Sequence, residues 1–489
     1  MLSSYLRENW SRQERRAWYI AVALLIPAAG LFFTAWFFGF SWTIQTGLDY
    51  LPKEIGVDAW DIPSDMVDFS LSLPHYAFAE YFTIKQVLPP DWIYPVIVFL
   101  FLAAASLLSA GVSYLEGMWF YAALFAAASG VAVSEPAMLA PMGFTGAWVS
   151  AACVLLFLIP VYAIAEWRNS WNLPRRWAAL FLLYAGFSLI FMRADFSVIP
   201  AGRLVASWYF PLLLAAIIFI AINAADSLQG LVIILTRVQG NTQSLFHFTV
   251  FSLVYAATFL LTFLHNTGQY VFDIFYPSPF ALQFLTTIAG FWILPYKSVL
   301  GNNSASFSKA ILPIFTALAI LFFTACFTAF ATGNDLMTEV LEDAITLLHF
   351  SIGFCFFLYI LINYSDLMRM GLRVYEVVLK PRYMPVSGIM VFGLAGVFIF
   401  LVNSNYFPFY QALAGRYVYW GDNARREGKT LQAEEMYRQA LAMESRNQRA
   451  NISLASLYME TGNFDKAFAA AQTSLEKNPV PEAVMIMAG

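Results

Sequence analysis

The sequence predicts an all-α protein: a polytopic bundle of about eleven transmembrane helices followed by a short α-solenoid. Three observations predict it. Of 489 residues, 60% are hydrophobic and only 12% are charged, against roughly 25% charged in a soluble chain. The apolar residues come in runs of about 20, the length that carries a helix across a ~30 Å hydrocarbon layer. Beyond Tyr410 the composition turns to Ala, Glu, Gln, Arg and Leu, with frequent charges. A soluble enzyme, a disordered chain and a disulfide scaffold are excluded.

The first element follows a basic tail, 1–16, carrying Arg7, Arg12, Arg15 and Arg16. The apolar run from Trp18 to about Phe40 is too long for a secretory signal and continues through Phe32, Phe33, Trp36 and Phe37, so it reads as an uncleaved span. Ten further candidates lie at about 92–111, 114–134, 145–165, 177–192, 204–223, 246–264, 280–296, 310–331, 344–363 and 386–403. Cytoplasmic loops collect Lys and Arg. With the amino terminus inside, that side holds the four tail arginines with Arg168, Arg175, Arg176, Arg237, Lys297, Lys309, Arg369, Arg373, Lys380 and Arg382. The other side holds Lys53, Lys85, Arg193 and Arg203. An odd span count then divides the chain into a transmembrane domain, 17–403, and an extracytoplasmic domain, 404–489. The expected location is a bacterial inner membrane, with the amino terminus cytoplasmic and the carboxy terminus periplasmic. Segment 224–243, with LVIILTRV, reads as a surface helix because Asp226 and Arg237 bracket a short apolar run. As a twelfth span it would move the carboxy terminus inside.

The outer loop 41–91 carries Asp49, Glu54, Asp58, Asp61, Asp65, Asp68, Glu80 and Asp91 against Lys53 and Lys85. Its stretches MVDFSLSL and HYAFAEYF mix aromatic and charged residues, which suggests short amphipathic helices along the membrane surface.

Laying 414–447 over 448–481 aligns Gly421 with Ala455, Gly428 with Gly462, Ala433 with Ala467 and Leu441 with Leu475. This segment resembles the tetratricopeptide repeat, which sets small residues where two antiparallel helices touch. The first copy reads Trp420, Gly421, Gly428, Ala433, Tyr437, Ala440 and Leu441; the second reads Leu454, Ala455, Tyr458, Gly462, Ala467, Leu475 and Pro479. Ala424 and Ser445 replace the usual aromatic and terminal proline in the first copy. Gly489 stands where a third copy would place its small residue, so either the chain continues or another surface caps the open end. The resemblance implies a docking surface for a protein partner. The plainer reading is a short solenoid packed on its own membrane domain.

Sites of chemistry are sparse. Cys153, Cys326 and Cys355 lie inside apolar runs without metal-ligand spacing. His75, His265 and His349 fall near the outer face and His247 near the inner one. His265 and His349, expected at similar depth on different helices, are a candidate haem or metal pair, and the plainer reading bonds each to backbone or water at a helix end. No cofactor or metal is expected. Glu116, Glu135, Glu166 and Asp226 sit near expected span ends, so no buried relay for a proton pump is visible. No phosphate-binding loop occurs, and a net charge of −4 points away from nucleic acid.

Two outer features suit an enzyme. Asp49, Asp58 and Asp61 are candidates for a general base or a divalent-metal site. Arg193 and Arg203, near Asp195, are candidate phosphate ligands. In layout the chain resembles the C superfamily of lipid-linked-sugar glycosyltransferases, which implies catalytic acids in the first outer loop; here Asp58-Ala-Trp-Asp61 replaces their adjacent pair. O-antigen ligases share many spans and carboxy-terminal repeats, but their outer loops are basic and late. The leading expectation is a non-enzymatic membrane anchor and assembly subunit. It would sit in a hetero- or homo-oligomeric cell-envelope complex, contacting membrane lipid and docking a protein partner through its repeats. The alternative is the glycosyltransferase or ligase.

Overall fold

The computed structural model describes residues 12–62, 69–134, 147–167, 170–191, 198–238, 240–268, 275–300, 305–403, 408–475 and 481–488. The helices of the apolar half are α1 (Arg12–Trp42), α2 (Ile93–Val112), α3 (Gly117–Val133), α4 (Ala147–Trp167), α5 (Leu173–Phe191) and α6 (Val198–Ser207). They continue with α7 (Tyr209–Thr236), α8 (Ser244–Asn266), α9 (Pro279–Leu300), α10 (Ala305–Ala331), α11 (Asp335–Arg369) and α12 (Val386–Asn403). The expected spans fall on helices among the described residues, except that 204–223 runs across the break between α6 and α7. Among the described residues, eight helices are long and apolar enough to cross a membrane, and the apolar segments 117–133 and 386–402 are shorter.

Helix α10 is the axis, with 83% of its apolar window buried. Two close crossings fix its neighbours. A Cβ at Gly39 of α1 would stand 2.5 Å from the Phe330 carbonyl oxygen, and one at Gly111 of α2 would stand 2.8 Å from Ile314. Phe32 packs against Phe280, Phe323 and Phe330, which joins α1, α9 and α10 through aromatic edges and faces. The threonines of α10 return their hydroxyls to the preceding turn, as Thr324 does to Ile320 and Thr328 to Thr324, both at 2.7 Å. Polar groups in a dry bundle are thereby satisfied within one helix.

Two expectations are corrected. Segment 224–243 is no separate surface helix, because LVIILT continues α7 to Thr236 without a break. At 1.5 Å per residue the helix is about 42 Å long, and Asp226 lies ten residues inside its end. The interruption falls earlier, at Trp208, which separates α6 from α7.

The outer loop is also different. It forms an antiparallel ribbon of β1 (Ile44–Ile62) and β2 (Phe69–Val87), the one departure from a helical architecture among the described residues. Its sequence alternates with period 2, as in Phe69-Ser-Leu-Ser-Leu73, which suits a strand rather than an amphipathic helix. Pro52 and Pro74 are tolerated because both strands are edges. An irregularity between Glu54 and Gly56 lets one extra residue into β1.

The carboxy-terminal helices are α13 (Pro408–Arg426), α14 (Thr430–Met443), α15 (Gln448–Glu460), α16 (Phe464–Leu475) and α17 (Pro481–Ala488). They pair as two helical hairpins with a further helix packed on α16. The loops on the repeat side of the bundle run through Val87–Asp91, Ser134, Ser207 and Ala331–Asn334. The other end gathers Arg176 and Arg369 at helix ends and Arg373, Lys380 and Arg382 in the segment between α11 and α12.

Candidate docking site and its mount

The repeat geometry follows from its small residues. Gly428 and Gly462 take φ of +72° and +74° at the two inter-helix turns, a conformation that side chains rarely adopt. A Cβ at Gly421 would stand 2.5 Å from the Tyr437 ring, so α13 and α14 touch there. Ala433, Tyr437, Leu454, Tyr458 and Ala467 form one buried cluster, with Leu441 packed against it. Ala455 and Leu475 belong to a second cluster. Trp420 instead packs toward the membrane bundle. Pro479 lies outside the described residues.

Asp422 organises the interior. Its Oδ1 accepts from the Tyr437 hydroxyl at 2.7 Å and its Oδ2 from Arg449 Nη2 at 3.1 Å. Burial, then the Asp422 charge, pushes the Tyr437 hydroxyl well above its ordinary range, so it remains a donor. Arg425 donates to Ser456 Oγ at 2.8 Å and to Glu460 at 2.5 Å.

The same helices bolt the repeats onto the bundle. Arg426 donates to the Pro89 carbonyl and to the Tyr94 hydroxyl at 2.8 Å, lies 4.6 Å over the Tyr94 ring and faces Asp91 at 3.6 Å. Arg203 pairs with Glu427 at 2.5 Å. Asn334 caps α11 by accepting from Met337 N at 3.0 Å, and donates to the Gly415 carbonyl at 2.9 Å. Tyr419 shares a 2.7 Å hydrogen bond with Thr332. Leu336 is buried with Ala414, Val418 and Ala450, and Val87 with Ile452, Ala455 and Ile486.

One consequence is directional. Residues 449–458 of α15 are buried throughout, so the first helix of each repeat faces the chain's own bundle and ribbon. The second helices present Leu431, Phe464 and Phe468, which are 82%, 62% and 47% exposed. Packing on the membrane half and an exposed apolar face therefore coexist.

The other candidates are scattered. Asp49, Asp58 and Asp61 lie on β1 opposite Tyr81, Leu73 and Ser70. At about 3.3 Å per residue the outermost two are roughly 40 Å apart along the strand. Arg193 and Asp195 lie outside the described residues, as do Glu135, Asp65 and Asp68, and Arg203 is engaged by Glu427. His265 and His349 are not at similar depth. His265 stacks on Tyr276 at 3.9 Å near the end of α8. His349 sits mid-way along α11, with Nδ1 at 2.5 Å from the Tyr255 hydroxyl and Nε2 at 2.7 Å from Gln283 Oε1. Tyr255 is ten residues, about 15 Å, along α8 from His265. No group of three or more His, Cys, Asp or Glu suited to a metal occurs among the described residues.

Sequence reasoning missed two features. Asp226, expected near a span end, pairs with Lys297 inside the bundle. Arg426 and Arg449 belong to no motif, yet each reaches a carbonyl more than three hundred residues away, at Pro89 and Val87. The one available signal was their concentration on α13 and α15, the helices that share small residues.

Comparison with protein families matches residues 424–488 to the tetratricopeptide repeat. No curated protein and no solved structure matches the chain. The match covers the helices from the end of α13 to α17, so the carboxy-terminal region of this chain is a tetratricopeptide-repeat module carried behind a set of membrane-length apolar helices.

Proposed function

We propose that the chain is an integral membrane anchor and assembly subunit that crosses the membrane about eleven times and docks a protein partner through its repeats. The partner would sit on the extracytoplasmic side, in a cell-envelope complex serving a surface polymer, a secretion route or an appendage. The observation that carries this reading is the mount. Repeat modules bind proteins, and here the module is held in one pose by Arg426, Glu427, Asn334 and Tyr419 while Leu431, Phe464 and Phe468 stay exposed. The basic loops gather at the opposite end, which supports a cytoplasmic location for that end and a periplasmic one for the repeats. The glycosyltransferase reading has less support, because Asp49, Asp58 and Asp61 are spread along one strand and Arg203 already holds a carboxylate.

The experiment purifies the full-length protein under native conditions beside a Phe464→Glu/Phe468→Glu variant and identifies what each retains. A stoichiometric protein lost with the variant is the expected result. A lipid-linked sugar retained by both, with no protein partner, overturns it. Cysteines at Leu431 and Tyr383, which are 82% and 75% exposed, report sidedness. The first should label from outside intact cells and the second only after lysis; the reverse pattern would place the repeats in the cytoplasm.

A further inference from the structure

In the half of the bundle away from the repeats, α7, α9, α11, α12 and the segment around Val378 line a partly open cavity of about 260 Å³. Its walls are apolar: Ile222, Phe356, Val378, Val386, Ile389 and Met390. Its polar side chains are Asp226, Gln229, Lys297 and Tyr359, whose hydroxyl already donates to the Val378 carbonyl. Lys297 donates to Asp226 Oδ1, which leaves Asp226 Oδ2 and Gln229 Nε2 buried without a hydrogen-bond partner among the described residues. Asp226 is 2% exposed and Gln229 4%.

Those two atoms define the ligand chemistry. One is an acceptor and the other a donor, so the complementary group must donate and accept at once. The ion pair beside them is neutral overall. An anionic headgroup would meet the free oxygen of Asp226, and a cationic one would meet Lys297. A hydroxyl satisfies both orphan atoms through a single oxygen. The walls accept hydrocarbon, and a volume just below the usual ~300 Å³ of a ligand pocket holds a head and its first carbons with the tail left in lipid. We infer that this cavity binds a long-chain alcohol, its hydroxyl between Asp226 and Gln229 and its chain along α12.

The test uses the full-length protein in detergent and hexadecanol carrying a diazirine near the hydroxyl. Photolysis should attach the probe to peptides of α7 and α12. Unlabelled hexadecanol should compete, whereas hexadecane should not. Gln229→Leu removes the donor and should weaken labelling about tenfold, the worth of one buried hydrogen bond. Ile389→Trp fills the cavity and should abolish labelling while elution and thermal midpoint stay those of the parent. The competition arms need no variant, so a misfolded substitution leaves the test intact. Labelling elsewhere, equal competition by hexadecane, or stronger competition by palmitate than by hexadecanol would each overturn the assignment.

Discussion

The two ends of the bundle are closed by different chemistry. At the repeat end, long charged side chains reach across the sequence: Arg426 to Pro89, Asp91 and Tyr94, Arg203 to Glu427, and Arg449 to Asp422 and Val87. At the basic end, backbone meets backbone and short polar side chains. Gly240 N donates to the Gly371 carbonyl at 2.9 Å, Ser244 to Met368, and Asn363 Oδ1 accepts from the amides of Arg382, Tyr383 and Met384. Charge there sits at the surface, as in the Arg373–Glu376 pair, whose side chains are each about half exposed. The exceptions are Arg176, turned in against Ser113 and Trp171, and the Asp226–Lys297 pair inside the bundle. The difference teaches what charge does at each end. Paired across the junction, it specifies one pose for the repeats; exposed at the far end, it stays with solvent.

The largest effect should come from Asp422→Ala. It leaves Arg449, a 4% exposed cation, without its carboxylate and the Tyr437 hydroxyl without its acceptor. Removing one partner of a buried pair costs about 3–5 kcal/mol. Amide exchange should accelerate across 413–475 while α10 keeps its protection. Unchanged exchange in the repeats would remove Asp422 from the centre of their interior.

Next comes Arg426→Ala, which takes away charge-assisted bonds to Pro89 and Tyr94 but buries no unpaired charge, since Asp91 is 72% exposed; the loss is about 1.5–3 kcal/mol. The repeat interior does not depend on it. Spin labels at Leu431→Cys and Tyr383→Cys should give a narrow distance distribution in the parent and a broad one in the variant, with thermal unfolding of the repeats little changed. Equal widths would mean that the hydrophobic seams at Leu336 and Val87 hold the pose alone.

Asn363→Ala sharpens the contrast from the other end. It deprives three amides of one acceptor, a loss of about 1–3 kcal/mol. Exchange at 382–384 should rise and the spin-label distance at the repeats should stay narrow. Broadening there would show that the two ends are coupled through α11, which runs between them.

The same contrast explains what was legible from residues alone. Twenty-residue apolar runs are local, and they became helices among the described residues, with one run broken at Trp208. The repeat was legible because Gly421 and Ala455, and Gly428 and Gly462, recur at positions where contact or a positive φ demands them. Asp226 was not, because its depth depends on Lys297, 71 positions later on another helix. The ribbon was misread because a short Phe-Ser-Leu-Ser-Leu alternation, flanked by charges, passes for an amphipathic helix when its period is not counted. Arg426 was invisible for the reason that makes it effective: nothing near it in sequence announces Pro89.

The smallest expected effect tests the partly exposed rim of the mount. Burial acts to raise the Glu427 carboxyl, but hydrogen bonds from Lys429 and Arg203 outweigh it and hold the group below the usual carboxylate range. A carboxylate depressed by folding contributes stability above its unfolded pKa, and that contribution disappears as pH falls through the lower folded value. The window therefore opens near pH 4 and closes below it, since an unperturbed Glu titrates at about 4.3. Arg203 is 39% exposed, so solvent screening limits the pair to about 0–1 kcal/mol. Glu427→Gln should leave the distance distribution at neutral pH nearly unchanged, because Arg426 still holds. In the parent, acidification from pH 6 to pH 3 should broaden it slightly; in Glu427→Gln that increment should be missing. An identical acid response in both proteins would show that the Glu427 carboxyl is not what loosens the junction.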